Sequence, residues 1–162
     1  MPEADFRIGN GFDLHRLVEG IPLVLGGVLI DAPFGSLGHS DGDVITHAVI
    51  DAILGACALG DIGVHFPPSD QSLKGADSII MLEQSMEKVS ESGYRVGNVD
   101  ITVVLEKPKL SHLYAAMRER LAAALRIDPS CVSIKAKTAE RLGPIGESKA
   151  VAAYAVALVR TI

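Results

Sequence analysis

The sequence predicts an α/β protein, an α+β two-layer sandwich with a mixed sheet of about four main strands, helices on one face and a small hairpin. Segments with alternating apolar residues, typical of strands, are interleaved with segments whose apolar residues recur at helical spacing. Glycine and proline separate these segments. No repeat, low-complexity tract or linker divides the chain, so we expect one domain spanning residues 1–162.

The composition limits the classes of function. Hydrophobic residues make up 48% of the chain and aromatic residues only 4%, so the core must consist mostly of Ala, Val, Leu and Ile. The net charge of −5 and the lack of a Lys/Arg-rich run argue against binding nucleic acid. No signal peptide or membrane-length apolar stretch is recognisable, so we expect no membrane association and a cytoplasmic protein. Cys57 and Cys131 do not form a disulfide framework and are expected to be reduced.

The first strands are predicted from glycine-containing segments. Residues 7–12 (RIGNGF) form a strand in which glycine lets the backbone approach another element closely. Residues 21–30 form two short strands that are broken at Gly26-Gly27, as in a hairpin. Residues 35–42 are expected to form a polar, glycine-rich loop.

A helix is predicted over residues 43–59, where apolar residues recur at helical spacing. Ser40 or Asp41 would cap its N-terminus, and Gly60 would end it. Residues 61–75 are expected to form a loop.

The second half of the chain continues the alternation of helix and strand. The ambiguous element is 150–162, whose alanines suit a helix but whose YAVALVRTI run suits a strand. We favour a strand, because the preceding strands need a final sheet partner. The other predicted elements are a helix at 76–91 that stops at Gly93, a strand at 98–105, a helix at 110–124 and a strand at 131–137.

Three residues have the spacing of a metal site. Asp13 and His15 alternate in an extended segment, so their side chains point to the same face. His47 lies among apolar residues of the predicted helix and would be the third ligand. Two imidazoles and a carboxylate suit zinc, and three protein ligands leave the fourth tetrahedral position open, as in catalytic rather than structural sites. An open position suits a phosphoryl oxygen.

Acidic residues surround His47. Asp43 and Asp51 are four positions away on either side and share its helix face. Either carboxylate could accept a hydrogen bond from the ring nitrogen of His47 that does not bind metal, which would fix the tautomer. The alternative for Ser40, Asp41 and Asp43 is that they serve only as cap and first-turn residues of the helix.

Two further segments could contact phosphates. Residues 135–140 (KAKTAE) follow a strand, so that Thr138 could bind a phosphate and Glu140 could hold a magnesium ion. Lys109, in the proline-bent loop 105–111, could meet a second phosphate. The alternative for Lys135 is a solvated strand residue, and for Lys109 an ordinary loop lysine.

These segments resemble the 2-C-methyl-D-erythritol 2,4-cyclodiphosphate synthase family, and the resemblance extends from Arg7 to about Ile162. The most specific part is the run SDGDVITHAVID at 40–51. Other matching segments are GFDLH at 11–15, ALGDIG at 58–63, FP at 66–67, KGADS at 74–78 and GNVD at 97–100.

The resemblance implies a role for each group of site residues. One zinc per chain would be held by Asp13, His15 and His47. His39 and Ser40 would lie near the methylerythritol phosphate, and His39 and Thr138 would assist catalysis. Asp61, Ile62, Gly63, Phe66 and Asp70 would line the sugar pocket. The cytidine and its phosphates would be surrounded by Leu105, Lys109, Leu110, Ser111, Lys137 and Thr138, with Glu140 facing Mg²⁺ or Mn²⁺ bridging the phosphates.

The implied reaction converts 4-diphosphocytidyl-2-C-methyl-D-erythritol 2-phosphate to the 2,4-cyclodiphosphate and releases CMP, in the non-mevalonate route to isoprenoid precursors. Such an enzyme is a phosphorus–oxygen lyase that needs no protein nucleophile. The family forms homotrimers whose active sites lie between subunits.

One segment departs from the family pattern. Where relatives often have Gly-Phe-x-Gly-Arg, residues 143–147 read GPIGE. In many relatives the Phe and Arg line a central trimer cavity that accepts an isoprenoid diphosphate. Pro144 and Glu147 remove the ring and invert the charge, so we expect Glu147 to be solvated or paired with Lys149 or Arg141 and the cavity to reject that ligand.

Two other functions use the same residues. A zinc-dependent phosphodiesterase or nucleotidase would present water to a phosphate, with His39 as the only ready general base. A non-enzymatic trimeric binding module would carry a structural zinc and would need a fourth ligand, for which His65 and His112 are the spare histidines.

Overall fold

The structure is a computed structural model that describes residues 5–162. Its strands are β1 (Phe6–Glu19), β2 (Leu23–Leu25), β3 (Val28–Ile30), β4 (Phe34–Leu37), β5 (Tyr94–Val104), β6 (Val132–Lys137) and β7 (Ala150–Thr161). Its α-helices are α1 (Val44–Ala56), α2 (Ile62–His65), α3 (Ser78–Glu91), α4 (Tyr114–Leu125) and α5 (Gly143–Gly146). Single 3₁₀ turns cover Gln71–Leu73, Ser111–Leu113 and Pro129–Cys131.

The main sheet has five strands in the order β4-β1-β7-β5-β6. It is mixed, because β5 and β6 are parallel while the other neighbours are antiparallel. β2 and β3 form the separate hairpin that was predicted around Gly26-Gly27. The α/β class and the C-terminal strand are thus confirmed, but the expected number of about four main strands is one too few.

The additional strand is β4, which lies in a segment predicted to be a loop. Its residues pair with the end of β1, from Arg16 opposite Leu37 to Glu19 opposite Phe34. Three consecutive residues of β4, beginning at Phe34, are buried, so the strand shows no alternation of apolar and polar residues. Because β4 has only four residues and includes glycine and serine, its sequence lacks the period-2 pattern of apolar residues that predicts a strand.

Helices cover one face of the sheet. α1 packs on β1 and β7, α3 packs on α1, and α4 packs on β6 and α3. The core between these layers is aliphatic, as the composition predicted. The opposite face of β1 and β7 has no covering element among residues 5–162, and large apolar side chains are exposed there: Phe6, Ile8, Phe12, Leu14, Tyr154 and Val156.

Several predicted boundaries are corrected. The cap of α1 is Asp43, not Ser40 or Asp41, because the Asp43 carboxylate accepts the amide hydrogen of Thr46. α1 ends at Ala56, before the predicted 59. The predicted loop 61–75 contains α2 and a 3₁₀ turn, each too short to show helical periodicity.

Two strands, β1 and β5, begin or end beyond their predicted bounds. β1 continues to Glu19 and so includes Asp13 and His15, and β5 begins at Tyr94 instead of residue 98. Among residues 5–162, none of the helices has the length and apolar character needed to span a bilayer.

Candidate metal and phosphate site

Two glycines of β1 place α1 directly on the sheet. A Cβ atom at Gly11 would lie 1.9 Å from the Ala48 carbonyl oxygen, and one at Gly9 would lie 2.0 Å from the Ala52 carbonyl oxygen. The expected close backbone approach in this strand is therefore confirmed. Because the backbones of α1 and β1 are in contact, His47 on α1 lies next to the part of β1 that follows Gly11.

Asp13, His15 and His47 converge at this contact. Asp13 Oδ2 lies 2.8 Å from His15 Nε2 and 2.9 Å from His47 Nδ1, and the two nitrogens are 3.2 Å apart. His47 is buried, while Asp13 and His15 are partly exposed. One donor atom from each residue thus points to a common centre that a ligand could reach from solvent.

The electrostatics of the cluster are those of a tightly coupled acid and base. Burial raises the pKa of Asp13, but hydrogen bonds from His15 and His47 and their positive charge outweigh it and hold the pKa well below its ordinary value. Burial lowers the pKa of His47, but the bond to Asp13 and the nearby carboxylates outweigh it and raise the pKa. The pairing thus favours an ionised Asp13 and makes His47 easier to protonate than a free imidazole.

The three donors fit a tetrahedral divalent metal. With metal–ligand bonds of about 2.0–2.1 Å, two ligands of a tetrahedral zinc ion lie about 3.3 Å apart. The observed separations of 2.8–3.2 Å approach that value without rearrangement of the backbone. This His/Asp triad can hold a metal ion, in agreement with the spacing argument.

The ring nitrogen of His47 that faces away from the triad does not contact Asp43 or Asp51, so that expectation is wrong. His47 Nε2 lies 2.8 Å from Ser78 Oγ and 3.0 Å from Ser40 Oγ. Ser78 belongs to the segment 74–78 that matches the family pattern, but the sequence predicts no role for it. It lies 31 positions from His47, so local spacing does not indicate that the two residues meet.

Asp43 instead binds four groups around the start of α1. Its Oδ1 accepts the amide hydrogens of Gly26 and Thr46, and its Oδ2 accepts the amide hydrogen of Gly27 and the hydroxyl of Thr46. As the cap, Asp43 has non-helical backbone angles, so the four-residue spacing does not aim it at His47. Its carboxylate joins the β2–β3 turn to α1.

Asp51 also binds elsewhere. Its Oδ1 accepts the amide hydrogen of Ile62 at 2.7 Å and thereby ties α2 to α1. α2 contains two of the predicted sugar-pocket residues, Ile62 and Gly63, and two more, Asp61 and Phe66, are its N-cap and C-cap.

The structure also brings together His39 and Asp70. The Nε2 atom of His39 lies 3.0 Å from the Asp70 carbonyl oxygen. Asp61 and Asp70 each cap a short helical turn through their own side chains. Asp61 and Asp70 thus lie at the start of short, hydrogen-bonded turns.

A cavity of about 190 Å³ lies where β5 and β6 end. Every residue that was predicted to surround the cytidine and its phosphates lines it: Leu105, Lys109, Leu110, Ser111, Lys137 and Thr138. Two residues that were not predicted organise the wall. Tyr114 Oη accepts the amide hydrogen of Ala136, and Glu106 Oε2 accepts that of Ala139.

Two of the predicted carboxylates have local partners. Thr138 Oγ1 donates to Glu140 Oε1 at 2.6 Å, so that the predicted phosphate and magnesium residues are in contact. Glu147 Oε2 lies 2.6 Å from Lys149 Nζ, which confirms the expected pairing of Glu147.

The triad and the cavity are separated within one chain. Asp13 pairs with Ala153, Ala153 with Val103, and Val103 with Ala136 in one row of the sheet. The row spans three strand spacings, or about 14 Å. A ligand of one chain would have to cross this distance to reach both places.

Comparison with curated proteins gives close relatives over almost the whole chain. A protein of Synechococcus elongatus named 2-C-methyl-D-erythritol 2,4-cyclodiphosphate synthase is 54% identical over 95% of this chain and 96% of its own length.

Solved structures show the same fold. A structure described as the bifunctional IspDF from Campylobacter jejuni aligns with a TM-score of 0.95 and 40% identity over 99% of this chain, which spans 44% of that longer chain. A Plasmodium falciparum IspF structure in complex with CDP aligns with a TM-score of 0.85 and 38% identity, over 96% of both chains. The YgbB family model matches residues 6–160. The chain therefore belongs to the YgbB family.

Proposed function

We propose that this protein is a 2-C-methyl-D-erythritol 2,4-cyclodiphosphate synthase, a phosphorus–oxygen lyase of isoprenoid precursor biosynthesis. The observation that carries the proposal is the convergence of Asp13, His15 and His47 on one point, in a chain that is 54% identical to a protein of that name. The substrate would be 4-diphosphocytidyl-2-C-methyl-D-erythritol 2-phosphate, and the products would be the cyclic diphosphate and CMP.

The proposed site uses two kinds of cation. The triad would hold one Zn²⁺ per chain, and Glu140 beside Thr138 would hold Mg²⁺ or Mn²⁺ against the substrate phosphates. The bound cations would supply Lewis acidity and charge neutralisation to phosphate oxygens. The donor set supports this assignment, because imidazole and carboxylate suit zinc whereas a carboxylate alone suits the harder ions.

The residues of the chain would chiefly position the substrate. The 2-phosphate oxygen forms a bond to the β-phosphorus, the bond from that phosphorus to the bridging oxygen of CMP breaks, and CMP leaves with the electron pair. His39, Lys137 and Thr138 would hold the phosphates in line, while α2 holds the sugar. Intramolecular attack in such a fixed geometry gains most of its rate from orientation and electrostatics.

We further propose a homotrimer with active sites between subunits. The exposed apolar face of β1 and β7 supports association, because soluble monomers rarely leave a large continuous apolar patch uncovered. The distance of about 14 Å between triad and cavity supports a composite site, in which the triad of one subunit faces the cavity of the next. Within that assembly each chain would contribute a single domain, and we expect a cytoplasmic location.

The function is tested by incubating the purified protein with the diphosphocytidyl substrate, Zn²⁺ and Mg²⁺. Stoichiometric CMP and cyclic diphosphate are expected for wild type, and neither product for His47→Ala. Linear phosphate products that incorporate ¹⁸O from labelled water would instead identify the phosphodiesterase or nucleotidase alternative. Metal binding by wild type without any turnover would favour the binding module.

The composite site is tested by mixing two inactive variants, His47→Ala and Lys137→Ala, after mild dissociation. If the site is shared between subunits, mixed assemblies contain some sites with neither substitution, and activity should return. Activity that stays at the level of the separate variants would show that each chain carries its own complete site.

A further inference from the structure

The partners of His47 Nε2 form an uninterrupted chain of hydrogen bonds. Nε2 lies 2.8 Å from Ser78 Oγ, and Ser78 Oγ in turn donates to Asp41 Oδ1. Both His47 and Ser78 are buried. This chain runs from the triad to the loop before α1 and involves neither of the carboxylates that sequence spacing indicated.

The loop around Asp41 is held to α3 through both of its carboxylate oxygens. Asp41 Oδ2 accepts the amide hydrogen of Ser78 at 3.0 Å, and Asp41 Oδ1 accepts the Ser78 hydroxyl and also the amide hydrogen of Asp43, the latter at 3.1 Å. In the reverse direction, the amide of Asp41 donates to the Ala76 carbonyl oxygen at 3.0 Å. These bonds fix Asp41 and the first residue of α3 relative to each other.

The direction of the chain follows from counting protons. A serine hydroxyl has one proton, and a carboxylate that already receives two amide hydrogens acts only as an acceptor. The Ser78 proton must therefore point to Asp41. The reverse direction would leave the Asp41 carboxylate facing a serine oxygen without a hydrogen between them.

The direction of the Ser78 hydrogen bond determines which ring nitrogen of His47 carries the proton. Because the Ser78 hydroxyl gives its proton to Asp41, its free lone pair accepts a proton from His47 Nε2. Neutral imidazole carries one N–H, so His47 Nδ1 then keeps its lone pair, and Nδ1 is the atom that lies 2.9 Å from Asp13 Oδ2. This tautomer is the one that can bind a cation between Asp13 and His15.

We propose that Ser78 and Asp41 are positioning residues that hold His47 in its metal-binding tautomer and thereby raise metal affinity. The proposal rests on the zinc site of the proposed function. Partners of this kind on ligating histidines typically change metal affinity by about 10–100-fold. We expect the lower end for Ser78, because Ser40 Oγ lies 3.0 Å from the same nitrogen and remains as a second acceptor.

The test measures zinc affinity by competition with a chelating dye for wild type, Ser78→Ala and a matched control, Ser85→Ala. Ser85 is also buried on α3, but its hydroxyl donates to the Met81 carbonyl oxygen and does not contact the triad. Ser78→Ala should weaken zinc binding about tenfold, while Ser85→Ala stays within about twofold of wild type. In ¹⁵N-histidine spectra of zinc-loaded protein, the Nε2 proton of His47 should exchange with water faster in Ser78→Ala than in Ser85→Ala.

A second variant covers the case in which Ser78→Ala does not fold. Asp41→Asn keeps the shape of the side chain but weakens the acceptor of the Ser78 proton, and it should lower zinc affinity in the same direction. Unchanged affinity in folded Ser78→Ala, or in Asp41→Asn if only that variant folds, would overturn the proposal. Wild-type protein that takes up no zinc would overturn the zinc site together with it, so the two failures are distinguishable.

Discussion

At the scale of single residues, Asp43 shows how a polar group can be fully buried without being part of the chemistry. Its side chain has no exposed surface, and each oxygen receives two hydrogen bonds from groups of the β2–β3 turn and α1. Burial raises the pKa of this carboxyl, against the hydrogen bonds that lower it. Its contribution is to join two segments that would otherwise leave amide groups unsatisfied.

We predict that Asp43→Asn destabilises the protein by about 2–4 kcal/mol, although the two side chains have the same shape. Either orientation of the amide places its NH₂ group against a backbone N–H, of Gly26 or Gly27, so one buried donor loses its acceptor. Urea unfolding of the metal-free proteins measures the difference. Equal stability of variant and wild type would contradict the hydrogen-bond assignment.

A second prediction at this scale concerns pH and the metal-free triad. The pKa of Asp13 is held below its ordinary 3.8, so its contribution to stability is present above pH 3.8 and is lost as pH falls through the folded-state value. The pKa of His47 is raised above 6.5, so its contribution is complete below pH 6.5 and is lost as pH rises through the raised value.

Wild type should therefore exceed Asp13→Asn in stability by the largest amount between pH 3.8 and 6.5, and by less on either side of that window. Urea unfolding in the presence of EDTA at a series of pH values measures this difference. A difference that stays constant across the series would show that Asp13 and His47 are not coupled in the folded protein.

At the scale of elements, the contact between α1 and β1 determines whether the triad forms. The strand supplies Asp13 and His15, the helix supplies His47, and glycine lets the two backbones touch. The closeness of this contact makes the site sensitive to a single added methyl group.

We predict that Gly11→Ala lowers stability by about 3 kcal/mol or more and weakens zinc binding, because its Cβ would overlap the Ala48 carbonyl oxygen and push α1 away from β1. Gly55→Ala is the matched control on α1, since the nearest atom to a Cβ there is the Asn10 carbonyl oxygen at 3.9 Å. That control should gain up to about 1 kcal/mol from helix propensity. Thermal unfolding and dye competition measure both effects, and a Gly11→Ala variant as stable as Gly55→Ala would refute the packing argument.

At the scale of the whole molecule, the uncovered sheet face is the feature that supports the proposed homotrimer. Phe12 and Tyr154 pack against each other on this face, with ring centroids 4.8 Å apart, yet each remains about half exposed. Covering such a surface with other copies of the chain would remove apolar area from water.

We predict that Val156→Asp, in the middle of this face, reduces the assembly to smaller species, because a buried unpaired carboxylate is costly. Ile80→Asp is the matched control, since Ile80 is 52% exposed on α3 and Val156 is 47% exposed on β7. Light scattering should give the mass of a trimer for wild type and for the control. A trimer that persists in Val156→Asp would place the interface elsewhere.

The reversed charge at Glu147 leads to the last prediction. Glu147 pairs with Lys149 and both side chains are largely exposed, so a carboxylate is accommodated at this position without burial. In a trimer, three such carboxylates would repel an anionic headgroup. We expect native mass spectrometry with farnesyl or geranyl diphosphate to show no retained ligand, whereas one tightly bound diphosphate per trimer would contradict this expectation.

The sequence by itself determined those features that depend on local periodicity and residue chemistry. Alternation and helical spacing gave the α/β class, the hairpin and the C-terminal strand. The strand spacing of Asp13 and His15, together with a histidine on the following helix, predicted the three members of the triad. The glycine pattern of β1 likewise predicted a close approach, because only glycine permits one.

The tertiary structure decided which distant groups meet. Four-residue spacing on a helix favoured Asp43 and Asp51 as partners of His47, but local spacing does not show that one carboxylate is taken by the β2–β3 turn and the other by α2. The actual partner, Ser78, comes from the N-terminus of α3, which reaches His47 only after α3 has packed on α1. Long-range packing, not local periodicity, therefore set the surroundings of the metal ligands.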